Sequence, residues 1–142
     1  MKVLTTNIWR YYEWEKRKEK IINFLKEQNA DIVFLQEVAC DERKKNKWAN
    51  QIEEINEELN YVGHIYGDLV EMKKWHGKEI DWIMFYGFGF LSKYPIKHSE
   101  VVILSPLEKK KNFGFMHVEI EAPEGKIDLI NVHLENTDNG AK

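Results

Sequence analysis

The chain has 142 residues, 43% of them hydrophobic and 13% aromatic, which suits one domain with a real core and argues against both disorder and two ordinary domains. Lys and Arg number 21 and Asp and Glu 24, a formal net charge of −3, so a whole-chain basic field for nucleic acid is excluded while a local basic patch is not. No stretch approaches the roughly 18 apolar residues of a membrane-spanning helix, and the single cysteine, Cys40, builds neither an internal disulfide nor a Cys-based zinc site.

Met1 to Asn7 carries no apolar signal region, so no signal peptide is expected and a reducing, cytoplasmic setting is the default. Lys2 to Ile8 is a short β-rich run and reads as a strand. Trp9 to Trp14 is an aromatic loop. Trp14, Lys18, Ile21, Ile22 and Leu25 recur at helical spacing, which predicts an amphipathic helix over Glu13–Glu27 with Asn29 as its stop. Asp31 to Glu37 is a nearly continuous apolar run ending in a carboxylate. Such a run suits a buried strand, and strand–helix–strand suits parallel pairing.

A second helix is predicted over Lys45–Asn60, with Trp48, Ile52, Ile55 and Leu59 on one face. Tyr61–Tyr66 reads as a strand, Gly67–Glu79 as a loop, and Ile80–Ser92 as a strand with alternating Trp82, Met84, Tyr86, Phe88 and Phe90. Tyr94-Pro95 ends it. Lys97–Leu104, Asn112–Glu121 and Lys126–Leu134 are three further strands, the last two joined as a hairpin by Pro123-Glu124-Gly125. The tail from Glu135 has no regular pattern. The pattern is mixed α/β, helices early and an antiparallel meander late.

Three polar residues close predicted strands: Asn7, Glu37 and His133. Ligands of open α/β sheets bind outside the carboxyl ends of strands, and neighbouring strands of a strand–helix–strand unit would bring Asn7 and Glu37 to one cleft. An amide oxygen beside a carboxylate is hard-oxygen chemistry suited to Mg²⁺ or Mn²⁺. The plain alternative is two polar residues where strand ends commonly carry them. His133 ends an apolar strand and is therefore positioned; it could bind a phosphoryl oxygen or transfer a proton, or be structural. His64, His76, His98 and His117 lack such a setting and are read as surface or core residues.

Taken in order, Leu4-Thr5-Thr6-Asn7-Ile8-Trp9, then Arg17 and Ile21, then Leu35-Gln36-Glu37-Val38, Leu91-Ser92-Lys93-Tyr94-Pro95-Ile96 and Asn131-Val132-His133-Leu134 resemble the endonuclease/exonuclease/phosphatase family, the metal-dependent phosphoesterases of the DNase I type. The resemblance spans nearly the whole chain. It implies that Glu37 is the main Mg²⁺ (or Mn²⁺) ligand, that Asn7 lies against the metal or its water, and that His133 binds the scissile phosphate. It further implies hydrolysis of a phosphate ester, nucleic acid included, by in-line attack of water with the cation polarising a phosphoryl oxygen.

The sequence departs from that pattern after His133. The family's Gly-Asp-x-Asn and Ser-Asp-His segments, which supply the water-activating aspartate and a closing Asp-His pair, are missing; Asp138-Asn139-Gly140 follows His133 too closely to replace them. The expectation is that residues 1–142 are the N-terminal half of a two-layer α/β sandwich, one mixed sheet with two helices on one face, and a weak or inactive enzyme in isolation. A non-catalytic interaction module is the alternative. One carboxylate at the site predicts weak metal binding. With the opposing sheet supplied from elsewhere, the strands Ile80–Leu91 and Ile127–Leu134 would expose an apolar face, to be covered by a homodimer or by a C-terminal half.

The remaining candidates are weaker. Lys109-Lys110-Lys111 could face a substrate phosphate, as a basic residue often does near this point in the family, or be a solvated turn. Arg43-Lys44-Lys45 is expected on the surface at a helix start. Tyr11, Tyr12 and Trp14 could stack on a base or cap a core, the second being favoured. Gly87-Phe88-Gly89 is not a dinucleotide fingerprint, having neither the third glycine nor the helix. Cys40 has no base near it in sequence and no nucleophilic role.

Overall fold

A computed structural model describes residues 1–44, 49–104 and 113–133. Strand β1 (Val3–Asn7) is followed by helix α1 (Trp14–Gln28), β2 (Ile32–Asp41), α2 (Gln51–Leu59) and β3 (Gly63–Glu71). A small hairpin, β4 (Lys74–Trp75) and β5 (Lys78–Glu79), precedes β6 (Met84–Ser92), β7 (Ile96–Leu104), β8 (Phe113–Ala122) and β9 (Gly125–His133). The first sheet is mixed, with order β1-β2-β6-β3: β1 runs parallel to β2, and β6 is antiparallel to both β2 and β3.

The helices form where the apolar spacing demands. From α1, Ile22 and Leu25 point inward, and from α2, Ile52 and Ile55; they pack on Val33, Leu35, Val38 and Leu91 of the sheet. Helix α1 ends at Asn29, whose left-handed backbone lets its N–H bond the Leu25 carbonyl, the usual way to satisfy a late carbonyl of a helix. Helix α2 starts at Asn50, whose side chain accepts from the Glu53 N–H and fills one of the four orphan donors of the first turn. Gly89 sits beneath this helix: a Cβ there would meet Ile52 Cδ1 at 2.2 Å, so glycine is what lets α2 lie down on β6. The predicted first turn of this helix, Lys45 to Trp48, lies outside the described residues.

The other face of the first sheet is also covered. β7, β8 and β9 form a separate three-stranded antiparallel sheet. Met116, Val118, Ile120 and Ala122 of β8 pack against Ile32, Phe34, Phe88 and Phe90 of the first sheet. Phe88 and Phe90 are therefore fully buried. This corrects the expectation that β6 presents a bare apolar face: the opposing layer comes from the chain's own meander, and a homodimer through β6 has no exposed surface to use there. Apolar side chains left outside on the second sheet include Ile103 and Leu104 of β7 and Ile130 and Val132 of β9. No helix of the described residues is long and apolar enough to cross a membrane.

Two boundaries shift for physical reasons. β2 continues four residues beyond Glu37, because Ala39 and Cys40 are buried and pair with Tyr86 and Phe85. The segment read as a loop over Gly67–Glu79 is half strand: Leu69 is buried against the second sheet, which extends β3 to Glu71. Beyond it, His76 and Gly77 both take positive φ, 51° and 77°, the conformation that closes a two-residue hairpin, here between β4 and β5.

Candidate functional site

The site grows from an irregularity in β2. Its register against β6 shifts between Gln36 and Val38. Glu37 is the extra residue, with a left-handed φ of 53°. A bulge of this kind bends the strand and re-aims a side chain. It also keeps the faces consistent, so that Leu35 and Val38 both reach the helical core although only two residues separate them. The neighbouring strand β1 stops at Asn7, opposite Gln36. Glu37 thus lies just past the end of its neighbour, in a notch that the Ile8–Tyr12 loop enters.

Glu37 is held on both carboxylate oxygens. Asn7 Nδ2 donates to Oε1 at 3.0 Å, while Asn7 Oδ1 accepts from the Trp9 N–H at 2.9 Å, which fixes the amide's orientation. Arg10 Nε comes to 2.9 Å from Oε2, but off the line of a hydrogen bond, and Oε2 remains buried without an aligned donor. His133 Nε2 lies 4.0 Å from Oε1. Asn7, Glu37 and His133 therefore come together from three strands at one end of the sandwich. Glu37 is not at its strand's terminus, as the sequence suggested, but at a bulge inside it.

His133 reaches Glu37 because β9 is tied across the layers. Gln36 Nε2 donates to Asn131 Oδ1 at 2.7 Å and to Thr5 Oγ1 at 2.9 Å, and Asn131 Nδ2 donates to the Leu35 carbonyl at 3.3 Å. Asn131 and His133 are two apart on one strand and share a face. Fixing the first aims the second.

Arg10, which the sequence did not single out, is fastened on every side. Its N–H bonds the Glu37 carbonyl at 2.8 Å. Its carbonyl accepts from Gln51 Nε2 at 2.9 Å and from Arg17 at 3.2 Å. Its guanidinium lies 5.0 Å above the ring of Tyr86. Arg17 also donates to the Ile8 carbonyl at 2.8 Å and to the Tyr12 carbonyl at 2.8 Å. One guanidinium thus gathers the carbonyls of the whole loop, in which Trp9 and Arg10 carry left-handed φ of 60° and 52°. A loop has no period, so nothing in the spacing marks Arg10; the hint was a buried carboxylate in need of a counter-charge.

Other candidates separate from this site. Trp14 is core, its indole N–H bonded to Glu54. Tyr11 is half-buried and packs on the same cluster, whereas Tyr12 is exposed. Arg43 pairs with Asp41 and lies 3.6 Å over Trp82; it is on the surface as expected, but in the turn after β2 and not at the start of α2, which begins at Gln51. Cys40 is buried and its thiol is pushed up to about 12, first by desolvation and then by Asp68 and other carboxylates, which removes any thiolate chemistry at neutral pH. Lys109, Lys110 and Lys111, and Asp138 and Asn139, lie outside the described residues.

His98, Glu100 and His117 gather on the outer face of the second sheet, with ligating atoms within 4.8 Å of one another. Their spacing follows from the pleat, since alternate residues of β7 share a face and Glu100 pairs with His117 of β8. His117 Nε2 lies 2.8 Å from Asp128 Oδ1 and Nδ1 3.4 Å from Glu100. These contacts raise the pKa of His117, Asp128 first. The cluster is an ion-pair network distinct from the Glu37 site.

Comparisons agree with this architecture. A family model described as "Endonuclease/Exonuclease/phosphatase family" matches residues 4–114. An endonuclease/exonuclease/phosphatase from Beutenbergia cavernae superposes with a TM-score of 0.71 at 22% identity, covering 84% of this chain and 33% of its own. A family protein from Leptotrichia buccalis gives 0.69 at 15% identity, with 95% of this chain and 54% of its own. Truncated TDP2 from Caenorhabditis elegans gives 0.56 at 19% identity, with 87% and 41%. No curated protein matches the sequence.

The fold is that of the DNase I-like α/β sandwiches. The chain belongs to the endonuclease/exonuclease/phosphatase family, a superfamily of phosphoesterases and nucleases that generally use divalent metals. It spans about a third to a half of the length of these solved relatives.

Proposed function

We propose that this chain is the N-terminal half of a phosphoesterase domain and carries the metal-binding part of its site. Glu37 is the ligand for Mg²⁺ or Mn²⁺, Asn7 orients it, and His133 holds the phosphate. The observation that carries the reading is Glu37 Oε2: a carboxylate oxygen buried without an aligned donor, beside an amide and an imidazole. Its partner there is the Arg10 guanidinium at 2.9 Å, and a hard cation is the partner that a carboxylate oxygen suits best. The residues present therefore fit the group.

When bound, the cation polarises a phosphoryl oxygen and offsets the charge that develops on it. Asn7 spends its N–H on Oε1, and Oε2 lies buried against Arg10. Arg10, already at the carboxylate, offers guanidinium N–H groups to an incoming phosphate. His133 Nε2 stands on the same side and donates to a phosphoryl oxygen when protonated. No residue of this sequence matches the family's water-activating aspartate, and such help is worth about 10²–10⁴-fold; hydrolysis by this chain alone is accordingly expected to be slow. Titration calorimetry with Mn²⁺ tests the reading. Weak binding abolished by Glu37→Gln is expected; binding that survives the substitution overturns it.

A further inference from the structure

The outer face of the second sheet carries an arrangement that the Glu37 site does not use. Met116, Val118 and Ile120 of β8 are buried, so His117 and Glu119 between them point away from the sandwich interior. On β9, Asp128 lies on the face opposite to that of the buried Asn131 and of His133. On β7, Ile96 packs inward against the core between the sheets, and in a regular strand His98 would share that inward face. It does not, because the register against β8 shifts between the two: Ile96 pairs with Ile120, but His98 with Glu119. Lys97 is the extra residue. A bulge of this kind re-aims a side chain, and here it sets His98 on the outer face beside Glu100.

His117 Nε2 lies 2.8 Å from Asp128 Oδ1, and Nδ1 lies 3.4 Å from Glu100 Oε1. An ionised carboxylate only accepts, so Asp128 claims the Nε2–H, and the neutral imidazole keeps its lone pair on Nδ1. That lone pair faces a carboxylate oxygen, acceptor against acceptor. The ring of His98 stands 6.0 Å away between centroids, and the ligating atoms of His98, Glu100 and His117 all lie within 4.8 Å of one another. Tetrahedral ligands at zinc bond lengths stand about 3.4 Å apart, so His117 and Glu100 already have the separation of a shared ion. His98 is exposed, and a side-chain rotation closes the remainder. An ion pair of His117 with Asp128 needs neither His98 nor Glu100, whereas a four-coordinate cation uses both. Glu119, opposite His98, is taken by Lys126.

We propose that His98, Glu100 and His117 form a second metal site, for a divalent cation of the zinc class, with water in the fourth position and Asp128 holding the His117 ring from behind. Two imidazoles and one carboxylate suit zinc, cobalt or nickel, whereas Mg²⁺ takes oxygen ligands. A carboxylate behind a ligating imidazole fixes its tautomer and raises its basicity, which is the place Asp128 occupies. The ion clamps β7 to β8 on the outside of the sandwich. The site rests on its own geometry and holds whether or not Glu37 binds a cation.

The test is calorimetry with Zn²⁺ on the chain carrying Glu37→Gln, so that the carboxylate of the other site is gone. One Zn²⁺ per chain is expected, and a large excess of Mg²⁺ should not displace it. In that background Asp128→Asn should weaken Zn²⁺ about 10–100-fold, and His98→Gln and His117→Gln should weaken it further. His98 is the decisive position, because it is exposed and its replacement leaves the contacts of His117 with Asp128 and Glu100 in place. A second readout follows from linkage: an ion that binds only the folded chain raises its melting temperature. Zn²⁺ should therefore raise that of Glu37→Gln and leave that of the chain carrying both Glu37→Gln and His98→Gln unmoved. Absence of Zn²⁺ binding in Glu37→Gln, binding that survives His98→Gln, or displacement of Zn²⁺ by Mg²⁺ overturns the site. Unchanged affinity in Asp128→Asn overturns the role given to Asp128.

Discussion

Gln36 and Asn131 meet across the two layers of the sandwich, side chain to side chain at 2.7 Å. Asn131 is buried, and both of its polar ends are used, the second on the Leu35 carbonyl. Asn131→Ala should cost about 1–3 kcal/mol, because it removes one partner of the Gln36 amide and the side-chain donor to the Leu35 carbonyl. It should also weaken Mn²⁺ binding at Glu37, which directly follows Gln36 in β2. Denaturant unfolding reads the first effect and calorimetry the second. An unchanged midpoint would mean that the layers are held by their apolar contacts alone.

The left-handed backbone at Glu37 separates the needs of the fold from those of the site. Glycine adopts that conformation freely, whereas alanine pays about 1–2 kcal/mol for it. Both substitutions remove the same carboxylate. Glu37→Gly should therefore be more stable than Glu37→Ala by about 1 kcal/mol, with both unable to bind metal. Equal stabilities would show that the bulge relaxes when its side chain is gone.

With Glu37 as the proposed metal ligand, Arg10 and the cation would compete for the same oxygen. Replacing Arg10 by Met removes a positive charge 2.9 Å from Glu37 Oε2 and keeps much of the packing on Tyr86. The side chain is partly exposed, so solvent screens the repulsion and the gain is modest. Mn²⁺ should bind about tenfold tighter in Arg10→Met, while inorganic phosphate binds more weakly. Weaker metal binding would instead mean that Arg10 is needed to present the carboxylate.

His117 sets a pH dependence on the far side of the molecule. Its folded pKa is raised above the ordinary value by the Asp128 hydrogen bond and then by Glu100. The protonated form is thus favoured by folding. The stabilisation is fully present below the ordinary histidine pKa, about 6.5, and is lost as pH rises through the raised value. The melting temperature of wild type should exceed that of His117→Gln by more at pH 5.5 than at pH 8.5. A difference that grows toward alkaline pH would contradict the ion-pair geometry.

Much of the fold could be read from residue order, and the reasons are local. Ile21, Ile22 and Leu25 repeat at helical spacing, Asn29 is the polar stop after them, and Met116, Val118 and Ile120 alternate as a half-buried strand must. Asn7, Glu37 and His133 stood out because each is polar beside an apolar run. The bulge at Glu37 was hidden, since an unbroken apolar stretch does not say which residue leaves the ladder. The second layer was hidden too. Phe88 and Phe90 cover Met116 and Val118 and are covered by them, and alternation on each strand alone does not reveal which sheet receives it. Arg10 sits in a loop, where no periodicity exists to betray it, and the spacing of Arg17 within its helix does not say that it would gather that loop's carbonyls.

The strand order of the first sheet bears on how the chain comes together as it is made. β6 lies between β2 and β3, yet it is synthesised after both. Until Ser92 has left the ribosome, β2 has a partner on one edge and β3 has none, and the open edges are rich in Val, Ile and Phe. Unpaired edges of this kind invite pairing with other chains. The arrival of one nine-residue strand closes both edges at once and places Phe88 and Phe90 under the meander that follows. Nascent chains halted before residue 92 should therefore be protease-sensitive and prone to capture by chaperones, and those halted after β9 protected.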